Sequence, residues 1–201
     1  EFETDETDIN GRIQLNYESY NSFRNFFNEV VLDTYFEETK ISSNDIAYFV
    51  NILEGLNQSI TFEGAINGPI CNLNAKSLKF SYGERTHFDG EIKFDGLGVK
   101  TKPEINAKIS NLVTFESDIK NIPLPPFKSG KKVKTPRWMR KVGKMEFKGD
   151  FVGPASNFEA MGILKTNAGS IKSDVHFKSD SLGETKIIGK IVTSKFDLGK
   201  T

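Results

Sequence analysis

One cysteine, one tryptophan and two histidines are scattered over 201 residues. Lone Cys71 excludes an internal disulfide and any cysteine-based metal site, and it reads as a small residue on a strand. Neither His87 nor His176 has a carboxylate, serine or cysteine at a spacing that marks a catalytic triad or a metal site. His176, between Val175 and Phe177, falls on the polar phase of a strand. No run of about 20 apolar residues exists, so no helical membrane span is written here. There is no secretory leader, no P-loop, and no Gly-x-Gly-x-x-Gly opening a helix. "TDETD" at Thr4–Asp8 resembles a charged surface segment more than a calcium loop. These absences leave no positive case for an enzyme, and neither a catalytic residue, a cofactor nor a metal is expected. The chain begins at Glu1-Phe2 without an initiating methionine and stops at "FDLGKT", which reads as a piece of something longer.

What is abundant is phenylalanine and glycine, seventeen of each. Together they suggest sheets with aromatic faces and places where the backbone bends or packs closely. A net charge of zero hides an asymmetry. Residues 1–38 carry ten acidic side chains against Arg12 and Arg24, while "KSGKKVKTPRWMRKVGK", Lys128 to Lys144, carries eight basic residues and no acid. Such a block is either a solvated loop or a surface for an anionic partner. Its Lys131, Lys132, Lys134, Arg137, Arg140 and Lys141, with Trp138 among them, are candidate contacts for lipid headgroups or an acidic partner.

Apolar and polar residues alternate through segment after segment, the period of a half-buried strand. One phase collects Ile13, Leu15 and Tyr17; then Ile60, Phe62, Gly64, Ile66 and Gly68; then Leu78, Phe80 and Tyr82. It continues with Phe88, Gly90, Ile92 and Phe94, with Ile105, Ala107 and Ile109, and with Met145, Phe147, Gly149 and Phe151. Phe158, Ala160, Gly162 and Leu164 follow, then Ile171, Val175 and Phe177, then Ile187, Gly189 and Ile191. The pattern predicts a long antiparallel meander of about ten strands with one wet and one apolar face. Helical spacing occurs in two places. "NSFRNFFNEV" aligns Phe23, Phe26, Phe27 and Val30, and "SSNDIAYFVNILEG" aligns Ile46, Phe49, Val50 and Leu53. In the second, Ser42 with Asp45 resembles a capping box and Gly55 a helix end. Short amphipathic helices beside a meander plug an open end, cover apolar sheet, or dock a partner.

Two stretches repeat one phrase at an offset of 85 residues: "FEGAINGPICNLNA" from Phe62 and "FKGDFVGPASNFEA" from Phe147. Each half therefore reads as a set of strands, about 58–121 and 143–201, within one continuous body spanning 1–201. Between the halves, "IPLPPF" (Ile122–Phe127) and the basic stretch form an excursion, about 122–142, because three prolines cannot donate to a ladder. A repeated strand unit suits an open, extendable sheet, although closure into a barrel, a sandwich and curling around a ligand all bury the apolar face. Gly64, Gly68, Gly90, Gly149 and Gly153 share the aromatic phase. They either leave gaps for an acyl chain or a neighbouring ring, or mark bends and bulges.

"ISSNDIAYF", the two Phe-x-Gly phrases, "IPLPPF" and "SKFDLGK" resemble the translocation and assembly module TamB family in its Bacteroidota-type form, within the AsmA-like and bridge-like lipid-transfer superfamily. The resemblance implies a periplasmic body anchored to the inner membrane by a segment not present here, folded as a U-shaped β-taco with an apolar groove. It implies a conduit that shields phospholipid acyl chains between the two membranes and supports outer-membrane biogenesis. The groove residues would be Phe62, Ile66, Phe80, Phe88, Ile92, Phe94, Phe147, Phe151, Phe158, Val175, Phe177 and Ile191. It also implies neighbouring groove repeats of the same chain and a BamA-like barrel partner, met through regions outside this chain. No nucleic acid is expected. The alternative is a scaffold for outer-membrane protein assembly that pairs client strands at its edges by β-augmentation.

Overall fold

The computed structural model describes residues 2–48, 53–97, 102–124, 126–154, 156–179 and 185–194. Their strands are β1 (Phe2–Glu3), β2 (Asp8–Ile9), β3 (Gly11–Asn16), β4 (Val31–Ser42), β5 (Ser59–Pro69) and β6 (Asn74–Tyr82). They continue as β7 (Thr86–Asp95), β8 (Glu104–Thr114), β9 (Met145–Gly153), β10 (Asn157–Thr166), β11 (Gly169–Ser179) and β12 (Thr185–Ser194). All twelve belong to one antiparallel sheet. From β4 to β12 each strand pairs with the next in sequence, while β2 and β3 share the outer edge of β4. The terminal strands do not meet, so the sheet is an open meander rather than a barrel.

The helices are short. A 3-10 turn at Tyr20–Asn25 leads into α1 (Phe26–Glu29), and α2 spans only Ser43–Ala47. This corrects the longer helix expected up to Gly55. Gly55 sits at φ +86° in a separate turn, and Phe49 and Val50 lie outside the described residues. Ser42 does cap α2 by accepting from the Asn44 N–H, but Asp45 closes no box. Instead Asp45 accepts from the hydroxyls of Thr4 and Thr7, and Glu6 accepts from Ser42 and Asn44. These bonds hold both carboxyls below their usual range. The charged N-terminal segment is thus the clasp that ties the β1–β2 hairpin to α2.

The apolar face buries itself unevenly. Phe36, Phe62, Ala75, Leu78 and Phe88 form the main core, with Ile66, Phe80, Ile92, Ile109 and Leu112 packed against it. Phe88 is 6% and Phe62 9% exposed, whereas Ile187 and Ile191 on β12 are 60% and 56% exposed. A single sheet without a second layer buries a ring that far only where it curls and its rows cover one another. The register supplies the reason. Between paired rows β4, β6 and β8 each carry one extra residue, at Phe36/Thr39, Ala75/Leu78 and Ile109/Leu112, while β5, β7 and β9 carry none there. Such bulges bend a strand and sharpen its twist. The ladders from β9 to β12 are regular throughout. The face is buried where the bulges are and open where they stop.

The repeated phrase is a strand-and-turn unit. Gly68 (φ +107°) and Gly153 (φ +118°) end β5 and β9, and a Cβ would lie 2.4 Å from the Asn72 carbonyl oxygen in one and 2.5 Å from that of Asn157 in the other. Only glycine fits there, and the following Pro69 or Pro154 turns the chain toward the next strand. The β6 bulge then breaks the offset. Phe62 pairs with Phe80, but Phe147 pairs with Leu164, one residue short of an 85-residue shift.

Candidate functional site

The pairing places all twelve expected groove residues on one face of the sheet, in lateral rows. Phe62, Phe80 and Phe88 lie side by side on β5, β6 and β7, and the row continues through Leu112, Phe147 and Leu164. A second row alternates large and small side chains: Ile66, Ala75, Ile92, Ala107, Phe151, Ala160, Val175 and Gly189. Phe94 pairs with Ile105 near the far end of the face, where Phe158 pairs with Phe177. Ile191 continues the row of Gly149, Gly162 and Ser173.

Rings touch across the strands. Phe80 and Phe88 stack with centroids 4.8 Å apart, and Phe158 lies 4.5 Å from Phe151 and 4.6 Å from Phe177. Each such pair adds about 0.5–1.5 kcal/mol beyond burial. The glycines on this face divide between the two readings of the sequence. At Gly90 and Gly162 neighbouring rings fill the space: a Cβ would lie 3.1 Å from the Phe88 ring and 2.8 Å from the Phe147 ring. Gly64 faces the β6 bulge, where Ser77 has φ +49°.

The result is a floor that is closely packed over β4–β8, apart from a cavity beside the strap, and half-open over β9–β12, where Phe151, Phe158, Val175 and Phe177 are only partly covered. The opposite face carries Lys79, Asp89, Glu91, Lys108, Asp150, Lys172 and Lys190. Among the described residues no group of three or more histidine, cysteine, aspartate or glutamate side chains is placed to hold a metal. No helix among them is long and apolar enough to cross a membrane. What this surface offers chemically is hydrocarbon contact.

The excursion between β8 and β9, residues 115–144, straps one rim of the face. It contains α3 (Glu116–Ile119), a 3-10 turn at Phe127–Ser129 and α4 (Arg137–Lys141). Asp118, 5% exposed, accepts from the Arg85 N–H and the Thr86 hydroxyl, both at 2.9 Å, and so pins α3 to the β6–β7 turn. Burial pushes its carboxyl up, but donation from the Arg85 N–H, the Thr86 hydroxyl, the Glu84 N–H and Ser117 outweighs this and holds it below the usual range. The Arg85 guanidinium also lies over the Phe115 ring at 4.1 Å. Farther along, Lys128 pairs with Glu54 at 2.7 Å, and the Lys128 backbone approaches Gly55. Val142 and Met139 pack with Met145, Ala168 and Leu164 beside the β10–β11 turn. The expected basic contacts Lys131, Lys132, Lys134, Arg137, Arg140 and Lys141 are exposed along this strap. The Trp138 side chain lies outside the described residues.

Sequence reasoning missed both the clamp and the bulges. The bulges do leave a mark: "AKSL" and "ISNL" read apolar-polar-polar-apolar and interrupt the alternation, while in "FEET" the fourth position is the buried Thr39. Asp118 left none, since its partners lie some thirty positions away, at Arg85 and Thr86. No family model, curated protein or solved structure matches the chain.

Proposed function

We propose that this chain is a length of a lipid conduit that shelters phospholipid acyl chains on its apolar face and performs no catalysis. The observation that carries the reading is a continuous apolar face that, among the described residues, is covered over β9–β12 only where Met139 and Val142 of the strap pack beside Met145 and Leu164. Exposing such a patch to water costs about 25 cal/mol per Å², and patches of this kind on soluble proteins mark interaction sites. The resemblance to the TamB family supplies the setting: a periplasmic body between inner and outer membranes. Acyl chains would contact Phe151, Phe158, Val175 and Phe177 on the open half, and headgroups would stay in water at the rim.

The test is to purify the chain, extract it with organic solvent and measure lipid by mass spectrometry. Bound phospholipid that disappears in Phe151→Asp, but persists in Lys148→Asp on the opposite face, supports the conduit. A lipid-free protein, or equal loss in both variants, refutes it.

A second reading, strand pairing with client proteins, is favoured by β12. Only one edge of that strand is paired among the described residues, and Ile187, Ile188, Ile191 and Val192 expose apolar side chains on both its faces. Binding of an extended client peptide that survives Phe151→Asp would favour this reading.

A further inference from the structure

The connection from β3 to β4, with the strand ends it joins, lines a cavity of about 560 Å³. That size is in the range of pockets that hold a small ligand. Glu18, just past β3, and Glu29, at the end of α1, both line it. Among the described residues Glu18 has neither an ion pair nor a hydrogen bond. Glu29 accepts only from the Asn25 side chain at 2.8 Å, a neutral partner that leaves its charge uncompensated. Arg24 is the one basic residue between Arg12 and Lys40, and it does not line the cavity. The cavity therefore carries two unmatched negative charges.

Ser22 is a second, independent feature of the same cavity. It is 4% exposed, lines the cavity, and its hydroxyl meets no hydrogen-bond partner among the described residues. Buried hydroxyls are bonded as a rule, so this one asks for a partner from the cavity. Asn28, also in the wall, gives its amide N–H to Asn25 at 2.6 Å and keeps its own oxygen open. Asn16 adds an amide donor, its oxygen accepting from Gln14 at 2.8 Å. Acceptors dominate the polar wall. The remaining wall is apolar: Tyr17 is 42% and Val31 40% exposed, and the Phe23 ring backs Tyr17 at 4.8 Å.

We infer that this cavity binds an aliphatic primary amine, its ammonium on Glu18, Glu29 and Ser22 and its methylenes on Tyr17 and Val31. An ammonium brings three donors and a positive charge, which is what this wall lacks. The Tyr17 ring adds a favourable aromatic face. A phosphate or carboxylate would be repelled by the two glutamates. A trimethylammonium has no N–H and would leave Ser22 unpaired. Among the described residues no group of three or more histidine, cysteine, aspartate or glutamate side chains is placed to hold a metal here. Two sources carry a primary ammonium on an alkyl arm, a free diamine and the lysine side chain of a peptide, and the experiment separates them. The cavity lies at the β3–β4 end of the sheet, away from the half-open β9–β12 region, so the inference does not rest on the conduit reading.

The experiment titrates the purified, isotope-labelled chain with cadaverine, with Nα-acetyl-lysine methylamide and with pentyltrimethylammonium, and follows backbone amide shifts by NMR. Saturable shifts centred on residues 16–31 are expected with a primary amine and not with pentyltrimethylammonium. Tighter binding of cadaverine supports a free diamine, and tighter binding of the acetyl-lysine supports a peptide lysine. Glu18→Gln and Glu29→Gln should each weaken binding about fivefold. Ser22→Ala should also weaken it about fivefold without lowering the urea midpoint. Glu91→Gln, an equal loss of charge on β7, should leave it unchanged. Both glutamates are exposed, so their variants keep the fold and carry the test even if Ser22→Ala disturbs packing. Absence of saturable shifts, or shifts centred outside residues 16–31, overturns the inference. Equal binding of pentyltrimethylammonium overturns it too, as does binding indifferent to Glu18→Gln and Glu29→Gln.

Discussion

Replacing Asp118 with alanine should release the strap while leaving the sheet intact. In the folded protein the carboxylate accepts from the Arg85 N–H and the Thr86 hydroxyl, each at 2.9 Å, and from Ser117 at 3.4 Å. Hydrogen bonds to a charged group contribute about 1.5–3 kcal/mol each, and a buried donor left unpaired costs about 1–3 kcal/mol. Water can reach the Arg85 N–H once the strap lifts, so only part of that sum is lost. We expect about 3 kcal/mol, which is a factor of roughly 150 in the population of the open strap. The remaining anchors at Glu54 and Ala168 moderate the opening without replacing the clamp. The assay is trypsin cleavage within the lysine- and arginine-rich strap under native conditions, where the rate follows the open population. A roughly hundredfold faster cut, with the urea midpoint of the sheet nearly unchanged, is the expected outcome. Asp118→Asn keeps one acceptor oxygen and should fall between the two. An unchanged cleavage rate would show that Asp118 does not clamp the strap, and a collapsed urea midpoint would show that strap and sheet are one cooperative unit.

The same clamp carries a pH dependence. The folded carboxyl titrates below its ordinary value of 3.8, so its contribution is complete above the ordinary carboxylate range. It fades as pH falls through 3.8 and is gone below the folded pKa; the cleavage rate of the native protein should therefore rise toward that of Asp118→Ala only in acid. Tyr82→Phe removes a hydroxyl that is sealed from water and has no hydrogen-bond partner among the described residues, and it should be neutral or raise stability by about 1 kcal/mol in a urea titration. Phe88→Ala in the curled half should cost about 3–5 kcal/mol, whereas Ile187→Ala on open β12 should stay within about 0.5 kcal/mol. Equal costs would contradict the gradient of burial. Gly153→Ala forces a side chain to φ +118° against a carbonyl and should cost about 2 kcal/mol. Gly130→Ala, at φ +66° in open space, should cost about 1 kcal/mol.

Much of the architecture was legible because a strand buried on one face writes its own period. The alternation from Ile60 to Ile191 assigns every expected groove residue to the face on which it is found, and Gly-Pro after Phe62 and after Phe147 marks strand ends. Two things were hidden. Curvature comes from single-residue bulges on alternate strands, and their polar pairs, such as Lys76-Ser77, look like ordinary surface until the register is known. The strap looked like a break in the sheet because its prolines and lysines say what it cannot pair with, not where it lies. Its position depends on Asp118 meeting Arg85 and Thr86 across the fold, a contact without local pattern. Of the helix expected toward Gly55, α2 forms only Ser43–Ala47, residues 49–52 lie outside the described residues, and Asp45 serves the Thr4–Thr7 clasp rather than a capping box.

The account stands or falls on which face of the sheet meets lipid. A photo-reactive benzoylphenylalanine placed in turn at Phe151, Phe158, Met161 and Ile163 reads this directly, since the first two lie on the apolar face and the last two on the opposite one, paired with Asp174 and Lys172. Irradiated with phospholipid vesicles and analysed by mass spectrometry, the Phe151 and Phe158 positions should yield phospholipid adducts and the Met161 and Ile163 positions none. Adducts from Met161 and Ile163 instead, or equally from both faces, would contradict it.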